Sequence, residues 1–166
     1  LANIFDNFLT NKIFPNTMTL IIYATTLNIL FLPLIWIFES PHWPLPAQIP
    51  ALIFLGLLEV GYLYPYYKAL QQDDTSIVTS LFSLEKIFVP VLAFLIVGEI
   101  LSVTQYVGLL VIIISGALLT LNKKIQFNKS LWYMAWCSFI LALEVVLYKY
   151  IFEEAGWSTG YTWANV

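Results

Sequence analysis

The sequence contains no arginine, a single cysteine and a single histidine among its 166 residues. With only seven cationic residues against ten acidic ones, the chain has no basic surface for nucleic acid phosphates, which excludes nucleic acid as a partner. Cys137 has no second cysteine with which to form an internal disulfide. Together with His42 it is too little for a Cys/His zinc site, so we expect no metal and no cofactor.

Charge of either sign is also scarce. Charged residues make up 10% of the chain, against about 25% in soluble domains. Hydrophobic residues make up 60%, and the mean hydropathy is +0.83. These values predict an integral membrane protein that has the lipid bilayer as a partner.

A helix that crosses the hydrocarbon core needs about 20 apolar residues, because lipid cannot pair with its backbone. The sequence offers such stretches at residues 18–38, 49–67, 75–98, 103–121 and 131–151. Their connections are short, as between antiparallel neighbours. We therefore predict an all-α protein of the cell membrane, built as an antiparallel bundle of transmembrane helices. Because the sequence starts at Leu1 and stops within an apolar stretch, we interpret it as truncated at both ends.

An internal repeat is indicated when the chain is shifted by 138 positions, which aligns residues 6–14 with 144–152. Three apolar residues are then identical, and the acidic residue Asp6 meets Glu144. Carboxylates are rare within membrane spans, so the matched acid carries more weight than the apolar identities. The pattern predicts a repeat of about five spans that restarts near Leu131.

Residues 65–122 resemble the core of an EamA-type domain of the drug/metabolite transporter superfamily. The resemblance rests on an ordered set of residues: Tyr67, Ala69 and Leu70 before a polar link, a Ser/Thr-led helix with a proline that ends in Gly98 and Glu99, and a helix with Gly108 and Gly116. In the family pattern, proline commonly follows the Leu-Glu pair. Here Lys86 takes that place, and Pro90 comes one turn later.

The resemblance implies ten helices, arranged as two inverted five-helix repeats around a central substrate cavity. On this basis residues 1–122 are the first repeat, 123–130 are a connection and 131–166 begin the second repeat. The family's cytoplasmic termini would place the 123–130 connection outside the cell. The distribution of lysines among the connections would place it in the cytoplasm, so both orientations stay open.

A charge at the bilayer centre costs about 2.5 to 3.5 kcal/mol, so each one should face a cavity or a partner. At about 100° per residue, Ser83 and Lys86 fall on a polar stripe of the third span, and Glu85 points the other way. We therefore predict that Glu85 and Lys86 do not pair with each other. Lys86 would face the substrate cavity or form a structural interhelical pair, and Glu85 would serve proton coupling or meet a donor on another helix.

The second span carries Glu59, Tyr62 and Tyr66 on one face, which predicts a cavity wall with an acid and two phenols. The alternative is that Tyr66 is an anchor at the membrane interface. Asp6 and Glu144 would approach from pseudosymmetric positions, or else serve as packing carboxylates. The predicted substrate-cavity set is Lys86, Glu59, Asp6, Glu144, Tyr62 and Ser83. Five further acids are expected to be solvated: Asp73, Asp74, Glu99, Glu153 and Glu154.

These features predict a carrier that moves a small polar or amphipathic metabolite by alternating access, with protons coupled through Asp6, Glu59, Glu85 or Glu144. A lipid flippase or a non-transporting scaffold of the same fold is the alternative. A membrane enzyme is disfavoured, because the sequence has no Ser/His or Cys/His set, metal motif or phosphate-binding glycine loop. The sequence specifies no oligomeric state.

Overall fold

A computed structural model describes residues 2–14, 16–121 and 129–166, and these residues are helical with no β-strand among them. Most of the predicted 123–130 connection lies outside the described residues. The elements are α1 (Ala2–Phe8) with a π-helical turn (Leu9–Ile13), α2 (Thr17–Trp36), α3 (Ile49–Leu70), α4 (Thr75–Leu81) with a 3₁₀ turn (Phe82–Leu84), α5 (Glu85–Val97), α6 (Val103–Leu121), α7 (Lys129–Ala155) and α8 (Trp157–Asn165).

Four helical segments of the described chain are long and apolar enough to cross a membrane: Thr17–Trp36, Ile49–Leu70, Thr75–Val97 and Lys129–Ala155. They correspond to four of the five predicted stretches, and the fifth is helical as α6. Many large apolar side chains of these helices are exposed on the outside of the bundle, as for Leu30 and Leu95. Such a surface suits lipid, because each helix satisfies its own backbone.

Local signals in the sequence explain where these helices begin and end. The side chain of Asn16 accepts a hydrogen bond from the backbone N–H of Met18 at 2.9 Å and so caps α2. Pro50 stands in the first turn of α3, where its missing N–H has no carbonyl to lose. Gly98 follows α5 with a φ of 72°, a left-handed conformation that glycine adopts without strain.

The centre of the bundle is formed by α3 and α7, which contact each other more extensively than any other pair of described elements. Their core includes Tyr66, Tyr67, Met134 and Cys137, all of them buried. The helices α1 and α2 pack against α3, and α4 and α5 pack against α7. Side chains that point inward from α3 therefore meet several helices at once.

The Thr75–Val97 span is interrupted by the 3₁₀ turn at Phe82–Leu84. The hydroxyl of Ser138 on α7 donates to the Leu81 carbonyl at 3.3 Å, at the point where the regular helix stops. A side chain from a neighbouring helix thus supplies a hydrogen bond that lipid could not. A 3₁₀ turn advances by about 120° per residue instead of about 100°, so three such residues rotate the following side chains by about 60°.

The last helix, α8, packs closely on α3 and on the connection between α2 and α3. Gly56 of α3 lies so near α8 that an added Cβ would stand 2.7 Å from the carbonyl oxygen of Ala164. In the connection, the backbone N–H of His42 donates to the Thr159 hydroxyl at 3.0 Å, and its carbonyl accepts from the Trp163 indole at 2.8 Å. These contacts hold α8 against α2, α3 and the connection between them.

Candidate functional site

A cavity of about 430 Å³ lies between α1, α2, α3, α7 and the 3₁₀ turn with the start of α5. Its volume is within the range of about 300 to 1,000 Å³ that is usual for small-molecule sites. It is lined by Asn3, Asp6, Ala24, Thr25, Asn28, Glu59, Tyr62, Leu63, Tyr66, Tyr67, Phe82, Glu85 and Leu141. Three carboxyl groups, each from a different helix, therefore face one space.

The cavity lies halfway across the bundle. Glu59 is at the midpoint of the Ile49–Leu70 span, and Glu85 is at the midpoint of the Thr75–Val97 span. Asn28 lies just past the middle of α2. Since each of these spans is about as long as the hydrocarbon core is thick, the cavity is at the depth where transporters bind substrates.

At one end of the cavity, Asp6 of α1 meets Tyr66 of α3. The Tyr66 hydroxyl donates to Asp6 Oδ2 at 2.8 Å, and the side-chain oxygen of Asn3 lies 3.4 Å from the same hydroxyl. Two further asparagines of the first segment, Asn7 and Asn11, donate to the Leu70 carbonyl near the end of α3, at 3.4 and 3.1 Å. The polar stripe of α1 thus binds α1 to α3 and places Asp6 at the cavity.

Further along α3, Glu59 lies near Glu144 of α7, close enough for the two carboxyl groups to interact electrostatically. The Tyr148 hydroxyl lies 3.4 Å from Glu59 Oε2 as a second contact. Glu144 is only 8% exposed, and its Oε2 atom has no hydrogen-bond partner among the described residues. A buried carboxyl oxygen without a donor costs free energy, so Glu144 is an unsatisfied polar group in the bundle core.

Aromatic rings form the wall between these acids. The Tyr66 ring lies 5.2 Å from that of Tyr67 and 5.2 Å from that of Phe82, measured between centroids. Tyr66 and Tyr67 are each 4% exposed, so neither sits as an anchor at the membrane interface. Tyr62 lies one turn before Tyr66 on the same face and also lines the cavity.

A second cavity of about 300 Å³ adjoins the first. Thr25 and Glu59 line both spaces, and Gly56, Trp163 and Asn165 line only the second. The Glu59 side chain therefore lies between the first cavity and a second one that is bordered by α8.

The prediction that Glu85 and Lys86 do not pair is wrong. Lys86 Nζ lies 3.0 Å from Glu85 Oε1, with the lysine side chain 49% exposed and the glutamate side chain 15% exposed. The four-carbon stem of lysine lets its ammonium group bend back over a neighbouring residue while the head remains near the surface. Angular separation of the two Cα positions is thus insufficient to keep the charges apart.

Two other predicted cavity residues, Lys86 and Ser83, are absent from the described lining of the cavity. The Ser83 hydroxyl donates to the Ser80 carbonyl at 2.7 Å, within its own helical segment. The hydroxyls of Thr79 and Ser80 likewise bond to carbonyls one turn earlier. The polar stripe is satisfied locally, and the side chains that reach the cavity from this span are Phe82 and Glu85.

Sequence reasoning did not identify Thr25 and Asn28 of α2 as cavity residues. A polar amide in the middle of an apolar span was an available signal for Asn28. Glu99, which was expected to be solvated, is partly exposed and also pairs with Lys149 of α7. Gly98 turns the chain immediately before Glu99 and so directs it toward α7.

Comparison with known proteins gives one match. A sequence model of the EamA-like transporter family matches residues 3–121, which is more than half of the chain. No curated protein and no solved structure matches. The matched residues extend from α1 to the end of α6, and they include every described residue that lines the first cavity except Leu141.

Proposed function

Because the chain belongs to the EamA-like transporter family, and is thus an integral membrane transporter of the drug/metabolite transporter superfamily, we propose that it moves small metabolites by alternating access. The observation that carries this proposal is the polar cavity halfway along the spans, with Asp6, Glu59 and Glu85 at its wall. Burying three acids in the middle of a membrane protein costs free energy, and a substrate site is the usual reason for such a cost.

We also propose how the chain fits into the full-length protein. Residues 1–122 would form the first five-helix repeat, 123–130 the connection and 131–166 the start of an inverted second repeat, giving a multi-pass protein of the cell membrane. The family match, which ends at residue 121, supports a boundary there. The placement of Glu144 against the cavity residue Glu59 supports a site shared between the two repeats.

Proton coupling is proposed at the pair formed by Glu59 and Glu144. Two ionised carboxylates can only accept hydrogen bonds, so their contact is stabilised only when one of them carries a proton. Glu85 already has a counter-charge in Lys86, which makes it a poorer site for proton exchange. Asp6 and Tyr62 are assigned to substrate contact.

The test is solute uptake into proteoliposomes that contain the full-length protein. The solutes are radiolabelled amines, amino acids, carboxylates, sugars and nucleosides. We expect at least one to be taken up. Asp6→Asn and Glu59→Gln should lower its rate at least tenfold while the protein still inserts as a single species, because each removes an acid from the cavity wall.

Matched controls remove acids outside the cavity. Asp74→Asn and Glu154→Gln change exposed residues at helix ends and should transport like the parent. The proposal is contradicted if no solute of any class is taken up, or if the two cavity variants transport like the controls. Selective movement of phospholipid between leaflets, without solute uptake, would identify a flippase instead.

A further inference from the structure

We propose that the cavity binds organic cations, with an ammonium group held by Asp6 and Glu59 and an apolar body held by the tyrosine wall. This inference rests on the proposed transport function and names the substrate class of the same site. The first argument is charge: Asp6, Glu59 and Glu85 line the cavity, and no lysine is among its described lining residues.

The lysine nearest to the cavity in sequence does not cancel this charge. Lys86 is paired with Glu85, and its side chain is half-exposed outside the lining. Glu85 is thereby neutralised, and Asp6 and Glu59 remain without a cationic partner in the described part of the chain. A bound cation would supply the missing counter-charge in the middle of the membrane.

A second, independent observation is the state of Glu144. Its Oε2 atom is buried, has no donor among the described residues, and belongs to a side chain that contacts the cavity residue Glu59. The bundle thus holds more hydrogen-bond acceptors at this point than donors. An ammonium group has three donors and no acceptor, which complements that excess.

The lining favours an organic cation over a metal ion. Among residues 2–14, 16–121 and 129–166, no three His, Cys, Asp or Glu side chains are close enough together to hold a metal. The acids instead share the cavity lining with the aromatic side chains of Tyr62, Tyr66 and Phe82. Aromatic faces attract cations by about 0.5 to 2 kcal/mol each and also cover apolar groups.

Three compounds with the same phenyl ring and three-carbon chain test the inference: 3-phenylpropan-1-amine, 3-phenylpropan-1-ol and 3-phenylpropionate. They share a ring and a short chain and are cationic, neutral and anionic at pH 7. Binding to the full-length protein in detergent is measured by calorimetry. We expect the amine to bind at least tenfold more tightly than the alcohol and the carboxylate more weakly still.

Variants then locate the site. Asp6→Asn and Glu59→Gln should each weaken amine binding about tenfold, whereas Asp74→Asn should leave it unchanged. The inference is overturned if the alcohol or the carboxylate binds as tightly as the amine, a comparison that needs no variant to fold. It is also overturned if well-folded Asp6→Asn and Glu59→Gln proteins keep the parent affinity.

Failure of this inference is distinguishable from failure of the transport proposal. If the solute panel shows uptake of sugars or carboxylates while the amine does not bind, the protein is a transporter with another substrate class. If the amine binds as expected but no solute is taken up, the site assignment stands and the transport proposal is wrong.

Discussion

At the scale of single residues, Lys86 has a different role from the one that its position on a helical wheel predicts. Its ammonium group compensates Glu85, an acid that borders the cavity and has a mostly buried side chain. The pair resolves the problem of a carboxylate halfway through the membrane without placing a cation in the cavity. Lys86 therefore contributes to the folding of the span and leaves the negative charge of the cavity intact.

Removal of Lys86 should be more harmful than removal of both charges. Lys86→Ala leaves Glu85 without a counter-charge, and we expect it to lower the stability in detergent by about 1 kcal/mol, since the lysine head is half-exposed. The double variant Glu85→Gln with Lys86→Gln should lie closer to the parent. Thermal unfolding of purified protein is the measurement, and a Lys86→Ala protein as stable as the parent would contradict this role.

At the scale of elements, the positions of the helices were predictable because lipid forces the backbone into long apolar segments. The face of each helix was predictable only where the helix is regular. Glu59, Tyr62 and Tyr66 share one face of α3, and all three line the cavity. For the Thr75–Val97 span, a helical wheel predicted the wrong face toward the cavity. The reason is that the 3₁₀ turn at Phe82–Leu84 rotates the side chains of α5 relative to those of α4.

That turn depends on a contact that sequence patterns do not show. The carbonyl of Leu81 is paired with the hydroxyl of Ser138, a residue 57 positions away in the chain. The same limit explains why Thr25 was missed as a cavity residue and why the pairing of Glu99 with Lys149 was not predicted, since both depend on neighbours on other helices. Local periodicity thus describes one helix at a time, and a cavity is a property of several.

Two glycines of α3 provide a matched test of close helix packing. In Gly56→Ala the new methyl group would meet the Ala164 carbonyl oxygen at 2.7 Å, whereas at Gly61 nothing lies within 4 Å of the added Cβ. We expect Gly56→Ala to lower stability by about 1 to 3 kcal/mol, the usual cost of overpacking. Gly61→Ala should be neutral or stabilising, because alanine is the better helix former by about 1 kcal/mol.

Thermal unfolding of the two variants in the same detergent gives the comparison. The close approach of α8 to α3 is disproved if both variants unfold at the same temperature.

At the scale of the whole molecule, Glu59 connects two cavities that are lined by different sets of helices. Its contact with Glu144 places the proposed proton site at their partition. A change in the protonation of this pair alters the charge at the wall of both cavities at the same time. Coupling between proton movement and substrate movement then needs no long pathway, because both depend on the same carboxyl group.

Glu144→Gln separates coupling from transport. Glu144 does not line the first cavity in the described structure, so the variant should still carry substrate down its own concentration gradient. Accumulation driven by an imposed pH gradient should fall to the level seen without the gradient, because glutamine cannot exchange a proton. Uptake into proteoliposomes with and without the pH gradient measures both, with Glu154→Gln as the control on the same helix.

The coupling proposal is refuted if Glu144→Gln accumulates substrate as the parent does. If it loses movement down the concentration gradient as well, Glu144 belongs to the substrate site rather than to coupling.

The attachment of α8 to the α2–α3 connection has a mechanical consequence. Serine, threonine and tryptophan side chains of α8 are bound to the backbone at Glu39 and His42, and α8 touches the backbone of α3 at Gly56. A rocking motion that tilts α3 therefore moves α8 in the same direction, because the two helices behave as one rigid unit. In the proposed alternating-access cycle, α8 then moves together with α3, although the two helices belong to different proposed repeats.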